Sequence, residues 1–190
     1  MIRKEFQQVK YVRIHDNIGG AVQFYIGLIL ACKEGCDWVC VMDDDVEIVR
    51  KDGLNILLDK AYELKSREMP VGAVIPLQLV DGRIARIGLL GIFVGGLISK
   101  EAIMKVGFPR YDFFIYYDDV EYADRIIKAG FGIEYAPPIL EHKELQRQRF
   151  CISILKKVLS FYFNKKRMYY LSRNGVIFSK KISCQFYYYA

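Results

Sequence analysis

The stretch Trp38-Val39-Cys40-Val41-Met42, followed directly by Asp43-Asp44-Asp45, constrains this chain more than any other. Five apolar residues running into an abrupt acidic cluster predict a buried strand that ends at a site. Adjacent carboxylates repel one another, so three at a strand's end need a cation or full solvation. Hard divalent cations take oxygen ligands, and Mg²⁺ or Mn²⁺ binds through a few carboxylates together with substrate phosphates. Residues two apart on an extended chain point to the same side. Asp43 and Asp45 can therefore share an ion while Asp44 faces elsewhere. A solvated acidic turn is the other reading of the same residues.

Around this strand the hydrophobic period alternates. Residues 9–14 predict a strand, followed by a turn at Asp16-Asn17 and the pair Gly19-Gly20. Residues 21–33 predict a largely buried helix stopped by Gly35. Leu54, Leu57, Leu58, Ala61, Tyr62 and Leu64 recur at helical spacing and predict an amphipathic helix over 52–66. Residues 71–75 predict a strand before Pro76, and 84–94 a glycine-rich mixture of strand and loop. Ser99 caps a short helix ending at Gly107. A helix opens at Asp118 or Asp119, runs to Lys128 and stops at Gly130. Residues 133–136 give a last short strand before Pro137-Pro138. Ile152, Leu155, Val158, Leu159, Tyr162 and Phe163 then fall on one helical face. This alternation predicts an α/β domain with a mostly parallel central sheet flanked by helices. In such sheets ligands lie at the carboxyl ends of strands, where the aspartate triplet falls.

The 190 residues suffice for one domain with a sizeable core. Hydrophobic residues make up 53% and mean hydropathy is +0.10, yet no apolar run reaches the ~20 residues that span a bilayer. No apolar stretch follows Met1-Ile2-Arg3-Lys4-Glu5, so no signal peptide is expected. The odd count of five cysteines favours reduced thiols in the cytosol, and Cys32, Cys36 and Cys40 read as structural rather than zinc-binding. Charge is divided unevenly. Residues 143–190 hold eleven Lys or Arg against one acidic residue, a net +10, whereas 1–142 hold 17 basic and 21 acidic residues, a net −4. The expected organisation is thus a globular domain over 1–142 and a basic helical tail over 143–190. That tail also carries eleven Phe or Tyr. Basic residues interleaved with aromatics suit an anionic membrane surface, and no nucleic acid partner is expected. A helical lid with a solvated basic face is the alternative.

A second acidic constellation is Tyr116-Tyr117-Asp118-Asp119-Val120-Glu121-Tyr122. Carboxylates at a helix N-terminus complement its dipole, but one suffices, so the pair leaves one available for chemistry. Tyr116 and Tyr117 offer an aromatic wall of the kind sugars stack against. His142 lies just beyond a strand and could complete a carboxylate-metal coordination sphere.

Taken in order, six segments form a recognisable series: Asn17-Ile18-Gly19-Gly20-Ala21, Met42 to Asp45, Phe93-Val94-Gly95-Gly96, Asp118 to Tyr122, His142, and Tyr169-Tyr170-Leu171-Ser172-Arg173-Asn174. The series resembles the inverting nucleotide-sugar glycosyltransferases of the GT-A fold (family 2 type), in their galactofuranosyl- and rhamnosyltransferase-like branch. The resemblance covers nearly the whole chain. It implies that Asp43 and Asp45 hold Mn²⁺ or Mg²⁺ on the donor diphosphate, with His142 as third protein ligand. It places Asp44 and Asn17-Gly19-Gly20 near the nucleotide, and Gly95-Gly96 where the backbone approaches donor or acceptor. Asp119 is implied as catalytic base, with Asp118 positioning the acceptor hydroxyl. Such enzymes begin with a further β-α unit that forms part of the nucleotide pocket. Only eight residues precede Val9, so that unit is expected to be missing from this chain.

The residues suit this chemistry on their own account. Displacement at an anomeric carbon needs a base for the incoming hydroxyl and a cation for the departing diphosphate. The two-carboxylate scheme of glycoside hydrolases leaves the triplet unexplained. A metal-dependent phosphohydrolase would need an Asp-x-Asp-x-Thr-type motif, which Asp43-Asp44-Asp45-Val46-Glu47 does not supply. The expectation is therefore transfer of a sugar from a UDP- or dTDP-sugar to a glycan or glycolipid acceptor in cell-surface polysaccharide synthesis. Its expected place is the cytoplasmic, inner face of the plasma membrane. The alternative is a non-catalytic or fragmentary relative that binds a sugar nucleotide or a partner enzyme.

Overall fold

A computed structural model describes residues 8–80, 82–85, 91–142 and 165–186. The apolar helical face at 152–163, on which the membrane expectation rests, lies outside the described residues. Helix α1 (Gly20–Lys33) leads into strands β1 (Trp38–Cys40) and β2 (Val46–Ile48), then helix α2 (Gly53–Ser66). Strands β3 (Val71–Val80), β4 (Arg83–Ala85) and β5 (Leu97–Ser99) follow. Helix α3 (Lys100–Val106), a 3₁₀ turn (Tyr111–Phe113), helix α4 (Asp118–Lys128), strand β6 (Gly132–His142) and helix α5 (Lys165–Phe186) complete the described elements. No helix among the described residues is long and apolar enough to cross a membrane.

The strands form one sheet in the order β1-β5-β3-β6-β2, with β4 paired to β3. The expectation of a mostly parallel sheet needs correction. Only β3 and β6 pair in parallel, and the other pairings, β1–β5, β2–β6, β3–β4 and β3–β5, are antiparallel. The cause is two short reversals: β4 returns on β3 through a tight turn at Gly82, and three-residue β5 inserts between β1 and β3 in the opposite sense. Because β1 and β3 both oppose β5, strands β1, β3 and β6 still run the same way. Their carboxyl ends share one edge of the sheet, and the aspartate triplet leaves β1 there.

The helix boundaries follow local chemistry. Ser99 Oγ accepts from the Ala102 N–H at 3.1 Å and caps α3, while Gly107, at φ +78°, ends it. Two strands run further than their prolines suggested. Proline lacks the ladder donor, but Ala136 pairs with Pro76 and the next partners are Gln78 and Leu140. The bulge between these pairs takes up Pro137-Pro138 without ending β6. Residues 9–14, in contrast, are irregular rather than a strand. Val9, Tyr11 and Val12 are about half exposed, Tyr11 and Val12 lie along α1, and no partner strand lies beside them among the described residues to make a ladder.

Helices cover both faces of the sheet. Leu28 of α1, Ala102 and Ile103 of α3, and Tyr122 and Ile126 of α4 pack with Ala73, Ile75 and Ile98 on one face. Leu57, Ala61 and Leu64 of α2 pack with Val74, Leu97 and Leu140 on the other. Neighbours such as Leu97 and Ile98 thus point to opposite cores, as the pleat requires. Leu57 is fully buried, so Leu57→Ala should cost about 2–5 kcal/mol through lost burial and a residual cavity. Urea denaturation measures this, and a loss under about 1 kcal/mol would show that α2 is not a core layer.

Candidate functional site

The chain leaving β1 is held in place by the glycine turn before β5. Val41 N–H donates to the Gly96 carbonyl at 2.9 Å, and Gly95 N–H donates to the Val41 carbonyl at 2.8 Å. Neither glycine faces open space. A Cβ on Gly95 would lie 2.0 Å from Leu140 Cδ1, and one on Gly96 2.1 Å from the Ile92 carbonyl oxygen. Close packing of the turn against β6 and its own backbone therefore already requires both glycines.

Beyond Val41 the triplet sits at the surface, with Asp45 partly covered. One ligand atom from each of Asp43, Asp44 and Asp45 lies within 4.8 Å of the others. This all-oxygen carboxylate set fits a hard divalent cation. The backbone of His142 lies opposite Val46, the residue after Asp45. A groove of about 390 Å³ extends from Asp43 and Asp44 along α1, past Gly20, Gln23 and Phe24.

The second acidic pair opens α4 after an unusual approach. Phe114, Tyr116 and Tyr117 all have left-handed φ, at +65°, +66° and +63°. Bulky residues seldom adopt this region, and each instance costs of order 1–3 kcal/mol unless the surroundings enforce it. Tyr117 provides no side-chain cap, so Asp118 and Asp119 accept from backbone N–H groups themselves. Asp119 Oδ1 accepts from Val120 N–H at 2.8 Å, and its carboxylate also takes the Gly91 N–H.

The two acidic clusters face one another. Burial, then the charge of Asp119 and lastly that of Asp43 push the Asp118 carboxyl up to about 6. Burial also raises Asp119, with Asp43 again contributing and the backbone donors opposing. Neighbouring like charge and lost solvent both disfavour ionisation.

The glycine loop at the start of α1 meets the same segment. Asn17 Oδ1 accepts from Gly19 N–H at 3.2 Å, and Gly19 has φ +87°. Ala21 N–H donates to the Phe114 carbonyl at 3.3 Å, and a Cβ on Gly19 would lie 2.2 Å from that oxygen. Asn17, Gly19 and Gly20 are thereby joined to the run that presents Asp118 and Asp119. Tyr117, expected to line a sugar pocket, turns its ring toward α5, 5.8 Å from Phe178 and about 3.4 Å from the space beside Gly175.

Helix α5 supplies what the sequence left unassigned. Asn174 is fully buried, and its Nδ2 donates to the carbonyls of Phe113, Ile115 and Tyr116 at 2.8, 2.9 and 2.9 Å. Tyr170 stacks on Phe114 at 4.4 Å, and Arg173 donates to the Asp112 carbonyl. The available signal was an asparagine inside an aromatic helical run, a poor helix former where a good one would serve. Gln78 was also missed. It is buried on β3 beside Gly91, with no hydrogen-bond partner for its Oε1 among the described residues.

The raised Asp118 titration links to stability with a definite sign. The folded state keeps the proton to about pH 6 while the unfolded chain releases it near 3.8. Stability therefore falls as pH rises between these values and stays lower above them, by an order of 1–3 kcal/mol. Asp118→Asn can accept the same backbone donors without the charge. With divalent cations chelated, it should melt above the wild type at pH 7.5 and equal it near pH 3.5. Equal melting at both pH values in thermal scans would contradict the burial argument.

No family model matches the chain. It is 29% identical over 142 residues to galactofuranosyltransferase GlfT1 of Mycobacterium tuberculosis, covering 63% of this chain and 47% of that protein. It is 26% identical over 145 residues to galactofuranosyltransferase GlfT1 of Mycolicibacterium smegmatis, covering 63% and 48%. The chain thus spans about half the length of the curated relatives it matches. This similarity supports a relationship to glycosyltransferases.

Proposed function

We propose that this chain is a metal-dependent inverting glycosyltransferase of GT-A type. It would transfer a sugar, with galactofuranose the first candidate, from a nucleotide-diphosphate donor to a glycan or glycolipid hydroxyl. The observation that carries the reading is the convergence of two acidic clusters from distant parts of the chain, close enough for Asp43 to raise both Asp118 and Asp119. One cluster suits a cation and the other a proton.

Asp43 and Asp45 would hold Mn²⁺ or Mg²⁺, with His142 as a further ligand. When bound, the ion offsets charge developing on the departing diphosphate. Asp44 and the Asn17-Gly19-Gly20 loop would border the nucleotide along the α1 groove and Tyr116 the sugars, while Gly95-Gly96 would act by holding the chain that leaves β1 and Tyr117 by packing on α5. Asp119 accepts the proton of the acceptor hydroxyl as its oxygen bonds to the anomeric carbon. The bond from that carbon to phosphate breaks, and its electron pair leaves with the diphosphate. Asp118 orients the hydroxyl. Attack opposite the leaving group in a single step inverts the anomeric centre. The basic aromatic residues of 143–190 would keep the protein at an anionic membrane surface.

The second reading is a non-catalytic or fragmentary relative that binds a sugar nucleotide or a partner enzyme without turnover.

Transfer from UDP-galactofuranose and from dTDP-sugars to glycan acceptors in Mn²⁺ tests the proposal. Asp119→Asn keeps size and backbone contacts but cannot take a proton, and transfer should fall by roughly 10²-fold or more with donor affinity little changed. Near-normal turnover, with Asp118→Asn inactive instead, would move the base back one residue. Asp45→Ala should abolish most Mn²⁺-dependent donor binding in calorimetry while leaving the melting profile cooperative. Undiminished Mn²⁺-dependent binding in that variant would defeat the metal assignment.

A further inference from the structure

We infer that Asn174 is a positioning residue that fixes the Asp118–Asp119 pair through the backbone of residues 113–117. The inference rests on reading that pair as the reacting carboxylates, although Asn174 itself touches neither.

The amide is the one group that fits. Arg173 Nε donates to Asn174 Oδ1 at 2.9 Å, which orients the amide so that its NH₂ faces the turn. Two N–H bonds then serve three carbonyls, of Phe113, Ile115 and Tyr116, with one hydrogen shared. Aspartate has no donor there, and leucine would remove the amide's bonds to all three carbonyls. These carbonyls flank Phe114, Tyr116 and Tyr117, the left-handed residues immediately before Asp118. A run of that kind relaxes toward ordinary φ unless its carbonyls are held.

Other α5 contacts act in the same direction. Tyr170 stacks on Phe114, Lys166 lies 4.2 Å from the centre of the same ring, and Gly175 leaves room for Tyr117. Phe114 also presents its carbonyl to Ala21 beside Gly19. Asn174 thus sits at the root of a backbone bracket that reaches both the base and the glycine loop. Loss of its donors frees the turn while the sheet and both cores remain intact, because those donors bond only to carbonyls of the turn.

The test uses Asn174→Ala, the milder Asn174→Ser, which keeps one donor, and Leu57→Ala as a destabilised control remote from the site. Hydrogen exchange is followed at 113–119 and in α2, and transfer is followed with UDP-galactofuranose in Mn²⁺. Both Asn174 variants should speed exchange at 113–119 by about 10-fold or more without a matching change in α2. Their kcat should fall by roughly 10²-fold with donor KM within about 2-fold. Leu57→Ala should leave kcat within about 2-fold. Unaltered exchange at 113–119 in the folded variants, or faster exchange with kcat unchanged, overturns the inference. The exchange arm needs no donor. A wild type that transfers no sugar therefore overturns the catalytic reading, while the hold of Asn174 on the turn is judged on exchange alone.

Discussion

Repulsion among carboxylates gathered at one end of the sheet is the constraint on which the remaining structure turns. Asp43, Asp44 and Asp45 leave β1 at that end, and Asp118 and Asp119 open α4 facing them. Like charges at short range in a partly dry environment separate if the backbone lets them. Here it does not. The Val41–Gly95 and Val41–Gly96 hydrogen bonds pin the first cluster, and backbone N–H groups of Gly91 and Val120 grip Asp119. The first restraint joins backbone to backbone, and the second fixes the Asp119 carboxylate through backbone donors.

The second cluster needs a further restraint, because the segment presenting it is not relaxed. Left-handed Phe114, Tyr116 and Tyr117 turn the chain sharply into α4. That geometry is wedged from both sides. The Gly19 loop presses on the Phe114 carbonyl, and α5 meets the Phe114 ring and the Phe113, Ile115 and Tyr116 carbonyls. Only a residue without Cβ fits at position 19, since a methyl there would penetrate the Phe114 backbone. Elements from both ends of the described chain thereby meet on one turn and set the direction of Asp118 and Asp119.

Much of this was legible in the sequence, for identifiable reasons. Helices α2 to α4 were readable because period and punctuation agreed: Ser99 and Gly107 bracket α3, and Gly130 follows α4, whereas α1, expected to be largely buried, buries only Ala21 and Leu28. The acidic clusters were readable because runs of like charge beside apolar residues are rare. Strand directions were not. Three-residue β5 carries too little pattern to reveal that it runs against β1 and β3, and that reversal turned an expected parallel sheet into a mixed one. Residues 9–14 show how alternation misleads when no partner strand lies among the described residues, and Pro137-Pro138 show how a bulge absorbs a residue type that usually ends a strand. Asn174 stood in a recognised segment, but its contacts reach back about sixty positions to a turn, and no local period reports such a link.

The energetic position of Asp118 bears on the choice between turnover and mere binding. A helix N-terminus is satisfied by one carboxylate or hydroxyl with little burial. α4 instead begins with two half-buried carboxylates, and the first is raised to about 6. This arrangement lowers stability at neutral pH, and surrounding groups must enforce it. Binding a sugar nucleotide through its diphosphate asks for a cation or basic groups, which a second acidic pair opposes rather than assists. Proton transfer asks for something different: a carboxylate poorly solvated enough to be more basic than in water, yet fixed beside the reacting atoms. An acidic pair that weakens the fold and gives nothing to anion binding offers the kind of environment that the proposed base would use.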